Sequence, residues 1–265
     1  MNRPPQPAGQ GLAEFMEHRG RRILEAGGYL WHEAERRMYI SCPYTAMPEP
    51  ERSELGRALL QANGLGVRYP STREAGLPGG IYVCRNKEYS LSAVQSRLRS
   101  MVRKGLAACD VREVPEDVLM REGLQLNRDT MERQGRFDAE FGEKAGWDRL
   151  CRAVTKSSKV RAMGAFVDGT GLAAYSVVYE EDGWVHILHQ NSRLDLLDFY
   201  PNHALAFTVA FTISVALDIV FRTMSSGTCR LHPVERRLIP TTQAMRAIDR
   251  FCIRRTPWQD CTASA

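Results

Sequence analysis

The side chains of this chain best suited to acid–base chemistry lie in the segment "WVHILHQNS", residues 184–192. Its two histidines carry imidazole groups, which titrate nearer neutral pH than any other unperturbed side chain. Because the segment reads as a β-strand, its alternation predicts that His186 and His189 point to opposite faces of a sheet. His189 is a candidate for proton transfer, and a core histidine that bonds to the backbone is the alternative.

A second polar feature follows directly, where "PNHAL", residues 201–205, opens a long apolar run. Asparagine is a preferred N-cap, so the sequence predicts a helix that begins near Asn202 or His203. Unpaired amides at the start of a helix attract anions. A plain N-cap is the alternative to an anion site, which would be formed by Asn202, His203 and the amides of Ala204 and Leu205.

The elements that position these residues follow from turn chemistry and hydrophobic periodicity. Turn-rich breaks at 168–171 and 181–183 separate three predicted strands. These strands span about residues 160–167, 172–180 and 184–190, and a further strand is expected from about Ile219 to Ser225. The expected order is therefore a three-stranded meander, a helix and another strand.

The apolar run from Ala204 to Phe221 is about 18 residues long and contains hydroxyl side chains and Asp218. A bilayer core needs about 20 predominantly apolar residues. The sequence has no second run of this kind. We therefore expect a buried helix of a globular α/β domain and no membrane span.

Composition permits an anionic ligand without demanding one. The chain has 265 residues, of which 43% are hydrophobic and 25% charged, and a formal net charge of +5. A general nucleic-acid binder usually carries a stronger and more clustered basic excess. The cysteines form no C-x-x-C pair, Cys229 and His232 lack a second ligand pair, and the N-terminus has no apolar signal region. These features predict free thiols, a cytoplasmic location and no metal site.

The order of these elements, together with their residues, resembles a known family. The segment "GAFVDGTGLAAYSVVYEEDGWVHILHQNSRLDLLDFYPNHALAFTVAFTISVAL" is similar to the core of GNAT acyltransferases, in particular their Fem-type and BioF-like branch. Upstream, "EYSLSAVQSRLRSMVRKGLAACDVREV" and "GLQLNRDTMERQGR" resemble the basic helix, short strand and next helix of that branch. The resemblance implies a GNAT-like α/β fold with a mixed, mostly antiparallel sheet flanked by helices.

The resemblance also implies an acyltransferase that moves an acetyl, other acyl or aminoacyl group to an amine on a small molecule or peptide. The donor would be acetyl-CoA, another acyl-CoA or a charged tRNA, with its phosphates at the predicted anion site. His189, which lies nearest the strand end, would take the proton of the amine. Ser225 and Ser226 would donate hydrogen bonds to the oxyanion, and turn residues are the alternative for both.

The C-terminal part of the chain departs from the family pattern. Many members of the branch end with "l-x-x-F-K-x-x-x-G-F", whereas the matching stretch here is "IDRFCIRRTPW". Cys252 stands at the position of the lysine, and Thr256 and Pro257 replace the glycine and the phenylalanine. The alternative to an enzyme is therefore a GNAT-fold protein that binds a ligand or partner without catalysis.

A basic helix is predicted over residues 91–104, with Gly105 expected to end it. Arg103 and Lys104 lie near its end and off its apolar stripe. These charges could meet the phosphates of a coenzyme, of a nucleotide-linked substrate or of tRNA. A solvated face is the alternative.

The N-terminal third of the chain is expected to form a separate layer. Residues 1–20 would comprise a mobile arm, over residues 1–11, and the start of a first helix, over residues 12–27. Residues 21–88 would form a partial unit that resembles an incomplete first copy of the GNAT-like unit, and residues 89–265 would form the acyltransferase unit. Because no low-complexity linker separates the units, we expect one packed body.

Overall fold

The computed structural model of the chain describes residues 8–35, 37–70, 77–84, 89–214, 218–221 and 253–260. The helices of this part are α1 (Gln10–His18), α2 (Arg52–Gln61), α3 (Ser96–Ala108), α4 (Glu116–Arg133), α5 (Ala139–Gly142), α6 (Lys144–Lys156) and α7 (Pro201–Ser214). The strands are β1 (Ile23–Ala26), β2 (Tyr29–Glu33), β3 (Met38–Cys42), β4 (Gly66–Arg68), β5 (Leu77–Cys84), β6 (Cys109–Glu113), β7 (Val160–Val167), β8 (Gly171–Glu181), β9 (Trp184–Ser192), β10 (Asp218–Phe221) and β11 (Ile253–Asp260).

The first sheet has four strands in the order β1-β2-β3-β4. The strands β1, β2 and β3 form an antiparallel meander, and β4 runs parallel to β3. A parallel neighbour requires a crossover connection, which α2 supplies. The β2–β3 hairpin and α2 both lie within the segment 21–88.

The second sheet has seven strands in the order β11-β5-β10-β9-β8-β7-β6. Its central strands repeat the arrangement of the first sheet, because β7, β8 and β9 form an antiparallel meander and β10 runs parallel to β9 after the α7 crossover. The chain thus contains the same strand–strand–strand–helix–strand unit twice. The predicted α/β fold, with a mixed, mostly antiparallel sheet and an incomplete N-terminal copy, is confirmed.

Local chemistry explains why the predicted meander forms where it does. The β8–β9 hairpin turns through Asp182 and Gly183, both with positive φ, at 52° and 77°. Two adjacent residues with positive φ give the turn whose twist matches that of paired antiparallel strands, and Asp-Gly adopts it readily. The three predicted strands therefore differ from the observed ones by no more than two residues at either end.

Helices cover both faces of the second sheet. The largest apolar cluster joins α1, α4 and α6 to inward side chains of β7 and β8, and it also contains Ile40 and Cys42 of β3. A second cluster joins α7 and the buried side of α3 to the opposite face. A third lies between α2 and the first sheet. Because the largest cluster draws residues from both units, the two units share one core.

Both ends of the first helix differ from the sequence prediction. The helix α1 already begins at Gln10, with Gly11 buried, so these residues do not belong to an arm; residues 1–7 lie outside the described part. The helix also ends at His18, and β1 follows where the prediction continued the helix. The apolar residues Ile23 and Leu24 pair in the sheet, and this tertiary contact overrides their local helical context.

The basic helix and β5 also differ from expectation. A short 3₁₀ turn occupies Leu91–Ala93, and α3 runs from Ser96 to Ala108, so Gly105 lies inside the helix and does not end it. The strand β5 falls within the predicted N-terminal unit, yet it pairs with β10 and β11 of the second sheet. The predicted division at residue 88 thus does not coincide with sheet membership.

The helix α7 covers only part of the long apolar run, because β10 begins at Asp218. Within the part of the chain that the structure describes, no helix combines the length and apolarity needed to cross a bilayer.

Candidate functional site

A β-bulge interrupts β9 near its middle. Val178 of β8 pairs with Ile187, whereas Val177 pairs with His189, so Leu188 is an additional residue on β9. A bulge removes one residue from the regular ladder and reverses the alternation of side chains beyond it. Even-numbered residues before the bulge and odd-numbered residues after it therefore face the same side of the sheet.

This bulge brings the two strand histidines to one face. His186 lies opposite Tyr179 in the ladder and their rings are 5.3 Å apart, whereas the His189 ring lies 4.4 Å from that of Phe141 on α5. Both histidines therefore belong to the face that α4, α5 and α6 cover. The prediction that they point apart is wrong, because periodicity cannot reveal an inserted residue. His186 is fully buried and His189 half-buried.

The last residues of β9 are polar, and hydrogen bonds to α4 hold Asn191 in place. The Asn191 side chain donates to the Asn127 carbonyl oxygen and to the Tyr175 hydroxyl, both at 2.9 Å. The Tyr175 hydroxyl donates to the same Asn127 oxygen, and the Asn127 amide donates to the carbonyl of Phe141. Burial raises the pKa of Tyr175, so it stays protonated and acts as a donor here.

Ser192, the final residue of β9, is fixed from both sides of the sheet. Thr130 and Arg133 of α4 donate to its carbonyl, each at 3.1 Å, and its amide donates to the Thr130 hydroxyl oxygen. Its own hydroxyl oxygen accepts from Arg133 at 3.0 Å and from the Asn202 amide at 2.9 Å. Gln190 donates in turn to the Asn202 carbonyl oxygen. The strand end thus joins α4 to the start of α7.

Arg133 carries the charge of this network. Its guanidinium donates to Ser192 and to the Thr130 hydroxyl, all neutral acceptors. The side chain is exposed to solvent, although neighbouring atoms partly desolvate it and lower its pKa. An arginine remains charged after such a shift. The site therefore holds a fixed positive charge at the end of β9.

The start of α7 differs from the predicted N-cap. The helix begins at Pro201, and the Tyr200 carbonyl accepts from the amides of His203 at 3.0 Å and Ala204 at 3.1 Å. Tyr200 is therefore the cap residue, in a left-handed conformation with φ 55°. Asn202 lies in the first turn, where its side chain binds the end of β9. Proline at the first helical position explains the shift of the boundary.

This geometry corrects the predicted anion site at the backbone. Pro201 has no amide hydrogen, and the amides of His203 and Ala204 already have an acceptor. Ala204 and Leu205 are fully buried. Gly105 of α3 also closes this end, because a Cβ built on it would lie 2.6 Å from the Tyr200 oxygen. A ligand therefore has no access to the amides of Ala204 and Leu205, which pack against α3 and the sheet.

Two predicted binding residues, Lys104 and His203, do come together around Tyr200. The Lys104 ammonium lies 5.7 Å from the centre of the Tyr200 ring, and the centre of the His203 ring lies 5.8 Å from it. Burial lowers the pKa of His203, so its ring is neutral at pH 7. Arg103 is exposed on the adjacent position of α3. The lysine thus supplies the charge on this side of α7.

Ser225 and Ser226 lie outside the described part of the chain, as does Cys252, so their roles stay predictions. The segment that contains Arg254 and Arg255 forms the outermost strand, β11. The thiols of Cys42, Cys109 and Cys151 are buried and form no disulfide. Among the described residues, no group of three histidine, cysteine or acidic side chains is arranged to hold a metal ion.

An open groove of about 660 Å³ lies beside this site, between α4 and the loop that follows β9. Four of its charged side chains form two ion pairs, because Arg121 bonds to Glu122 and Arg193 bonds to Asp195. The fifth, Asp129, accepts hydrogen bonds from Gln125 and from the amide of Leu194. The groove therefore offers no unpaired positive charge to an anionic ligand.

Sequence reasoning missed Arg133, Thr130 and Ser192. A usable signal was present, since Asn127, Thr130 and Arg133 recur every three residues and so share one face of α4. Polar side chains in such a row, on a helix that covers a sheet, indicate a polar feature beneath it. The triplet Gln190–Ser192 at the end of an apolar strand indicates the same place.

Comparisons with known proteins bear on this arrangement only at the level of structure. No family model and no curated protein matches the chain. Among solved structures, FemX aligns with a TM-score of 0.57 at 10% identity, over 94% of this chain and 89% of its own. The C-terminal domain of a putative lysylphosphatidylglycerol synthetase from Agrobacterium fabrum aligns with a TM-score of 0.55 at 8% identity, over 98% and 89%.

A third structure, L-PGS from Bacillus licheniformis, aligns with a TM-score of 0.52 at 11% identity, over 98% of this chain and 94% of its own. Identities this low carry the fold and not the activity. The alignments nevertheless span both sheets, together with the repeated unit. The chain therefore has the GNAT-like fold of Fem-type proteins.

Proposed function

We propose that this protein transfers an acyl or aminoacyl group from a CoA thioester or a charged tRNA to an amine. The fold supports the proposal, because it is shared with FemX and with a putative lysylphosphatidylglycerol synthetase over nearly the whole chain. The name of the latter describes a product in which a lysyl group is joined to a lipid. Transfer of an aminoacyl group is therefore a chemistry that this fold accommodates.

The observation that carries the proposal is the polar end of β9 beside a parallel strand. In the described residues, β10 pairs with β9 only from Trp184 to Ile187, and β9 continues to Ser192. Ligands of α/β proteins bind at the carboxyl ends of parallel strands, next to the crossover helix. The bulge at Leu188 lies on this part of β9. His203, whose ring is neutral, lies at the start of α7, and Arg133 bonds to Ser192 at the end of β9.

The donor would lie along the outer half of β9, with its phosphates near the start of α7. Asn202, His203 and Lys104 surround that start. Its acyl carbonyl would reach the bulge at Leu188, because a bulge leaves a backbone group outside the regular ladder. The amide of Leu188 would then donate a hydrogen bond to the oxyanion that forms during transfer.

Proton transfer is assigned to His189, next to the bulge. The amine nitrogen attacks the acyl carbon, and its proton passes to the His189 ring as the new C–N bond forms. Collapse of the tetrahedral intermediate breaks the bond to the donor sulfur or ribose oxygen. The proton then passes from His189 to that leaving group, so the histidine returns to its initial state.

A transfer assay tests the proposal. The protein is incubated with acetyl-CoA, longer acyl-CoAs or aminoacyl-tRNA and a panel of amines, and acylated product is measured by mass spectrometry. His189→Gln should reduce the rate about 10²- to 10⁴-fold, the usual contribution of a general base. His18→Gln, at an exposed position on α1, is the matched control and should leave the rate unchanged.

Thermal stabilisation by each donor separates the enzyme from the non-catalytic alternative. A donor that binds only the folded state at about 100 times its Kd adds about 2.7 kcal/mol of stability. Stabilisation without transfer to any amine would favour a binding protein, in agreement with Cys252 at the position of the family lysine. Absence of both stabilisation and transfer with every donor would refute the proposal.

A further inference from the structure

The short helix α5 packs against His189, the residue assigned to proton transfer. It consists of four residues, Ala139–Gly142, between α4 and α6. The ring of Phe141 lies 4.4 Å from that of His189, centre to centre, with an angle of 61° between the two ring planes. The Nε2 atom of His189 is buried. Contacts with the protein, and not with water, therefore set the orientation of the ring on this side.

A helix of a single turn cannot satisfy its own last carbonyl groups, because these have no donor within the helix. Two side chains of α4 satisfy them for α5. The Asn127 amide donates to the carbonyl of Phe141 at 3.0 Å, and Arg128 donates to the carbonyl of Gly142 at 3.1 Å. The position of Phe141 thus depends on α4 as well as on the turn itself.

Asn127 also holds the strand that carries His189. Its carbonyl oxygen accepts from the Asn191 amide at 2.9 Å and from the Tyr175 hydroxyl. Asn191 follows His189 by two residues on β9, so both side chains project from the same face of the sheet. The Asn127 side chain is fully buried. One buried amide therefore holds both the strand that carries His189 and the aromatic ring that packs against it.

The other end of α5 is anchored independently. The Asp138 side chain accepts from the amide of Glu140 at 3.0 Å and so caps the turn. The carboxylate of Glu140 binds Arg19 and Arg21. These bonds join α5 to the N-terminal unit, whereas Asn127 joins it to β9. Loss of the Asn127 donor should therefore displace the C-terminal end of the turn and leave its start in place.

We propose that Asn127 is a positioning residue, which acts through Phe141 to hold the His189 ring in the orientation that proton transfer requires. The contribution to catalysis rests on the proposed function, whereas the control of ring orientation does not. A displacement of about 1 Å can cost a catalytic group about 10²-fold in rate. Asn127 thus affects the rate of transfer from a buried position that no substrate touches.

Nuclear magnetic resonance tests the ring orientation without requiring turnover. The parent protein should show a nuclear Overhauser effect between the ring protons of Phe141 and His189. Asn127→Asp keeps an oxygen for Tyr175 and Asn191, but its carboxylate has no hydrogen for the Phe141 carbonyl, so this ring contact should be lost. Asn127→Ser is too short to reach that carbonyl and adds no charge, so it should give the same result. A ring contact that persists in both variants would overturn the inference.

Tyr175→Phe is the matched control. It removes a hydrogen bond to the same Asn127 oxygen from an equally buried residue, and it leaves the bond from Asn127 to the Phe141 carbonyl in place. This variant should unfold at a lower temperature, because a buried hydrogen bond is lost, and should keep the ring contact. Loss of the contact in Tyr175→Phe as well would contradict a specific role of Asn127.

Transfer kinetics test the catalytic part. Both Asn127 variants should lower kcat about 10²-fold with little change in KM for the donor. Phe141→Leu removes the ring and keeps the backbone carbonyl, so it should also lower kcat. It should move the acidic limb of the pH–rate profile to higher pH, because water that reaches His189 favours its charged form. Parent kinetics for Phe141→Leu, or a kcat that follows the unfolding temperature and not the ring contact, would show a purely structural role.

The two kinds of measurement separate this inference from the proposed function. Loss of the ring contact in the Asn127 variants, with no transfer by the parent protein from any donor, would keep the control of orientation and refute the proposed function. Transfer at the parent rate by the Asn127 variants would keep the proposed function and overturn the positioning role.

Discussion

The strand–helix–strand crossover occurs twice in this protein, and the two copies differ most at the end of the strand before the helix. In the first copy β3 ends with Ile40, Ser41 and Cys42, all buried, and Tyr44 belongs to the same apolar cluster as Ile40 and Cys42. In the second copy β9 ends in a polar triplet that is bonded to α4 and α7. The two crossovers share one topology, but the strand end before the helix is buried in the first copy. In the second copy it is polar, and Arg133 beside it is exposed to solvent.

The arginines of the two regions show the same contrast. Near the first copy, Arg19 is 6% exposed and lies 2.9 Å from Glu140, and Arg21 lies 2.7 Å from the same carboxylate. At the second copy the hydrogen bonds of Arg133 go to neutral groups, and the nearby Asp129 acts on it only through the electrostatic interaction that favours its charged form. A buried ion pair joins two parts of a fold, whereas an exposed arginine held by neutral groups contributes less to holding them together. The buried ion pairs thus lie near the first copy, and the proposed site lies in the second.

The largest expected effect concerns the ion pair between Arg19, near the first copy, and Glu140 of α5. Glu140→Ala would leave the Arg19 guanidinium buried without its carboxylate, which should lower the free energy of unfolding by about 3–5 kcal/mol. Asp117→Asn, in an exposed ion pair with Arg121, is the control and should cost less than about 1 kcal/mol. Urea denaturation measures both. If both variants lost a similarly small amount of stability, the ion pair between Arg19 and Glu140 would not be what holds the N-terminal unit in place.

A related effect should appear as pH falls. Burial alone would raise the pKa of Glu140, but Arg19 and Arg21 lower it from 4.5 to about 2. Because the folded state binds this proton less readily, the contribution is present above about pH 4.5 and lost towards pH 2, and amounts to about 3 kcal/mol. Urea titrations between these pH values should show the loss in the parent protein. A Glu140→Gln variant with the same pH dependence would assign it to other carboxylates.

The smallest expected effect concerns the second copy. A Cβ at Gly105 would lie 2.6 Å from the Tyr200 oxygen, so Gly105→Ala should displace the start of α7 and cost about 1–3 kcal/mol. Donor binding should weaken in the folded variant. Gly56→Ala is the control, because α2 leaves open space there, and it should stabilise the protein by up to about 1 kcal/mol. Calorimetric unfolding and donor titration would test both, and unchanged binding by Gly105→Ala would separate the first turn of α7 from the site.

Local patterns were sufficient to predict the meander of the second sheet. The Asp-Gly turn at 182–183 and the apolar alternation on either side fix the strands through interactions between near neighbours. The helix that follows was also predictable from its polar start and apolar body. These features depend on short stretches of chain, so one sequence is enough to read them.

Features that depend on distant contacts could not be predicted in this way. Gly105 reads as a helix end, yet its role is to admit the Tyr200 carbonyl, which is far away in sequence. The bulge at Leu188 leaves no compositional mark and reverses the predicted faces of the histidines. Pairing of Arg19 with Glu140 joins residues 121 positions apart. The polar rows on α4 and β9 were visible, but only the fold shows that they meet.

The end of β9 also has a consequence for motion. Ser192 exchanges hydrogen bonds with Thr130 and Arg133, so helix side chains restrain a strand end that extends past its described pairing with β10. Such restraints keep the backbone of the strand end rigid. A ligand that binds beside it would find it already ordered, and little conformational entropy would be lost on association.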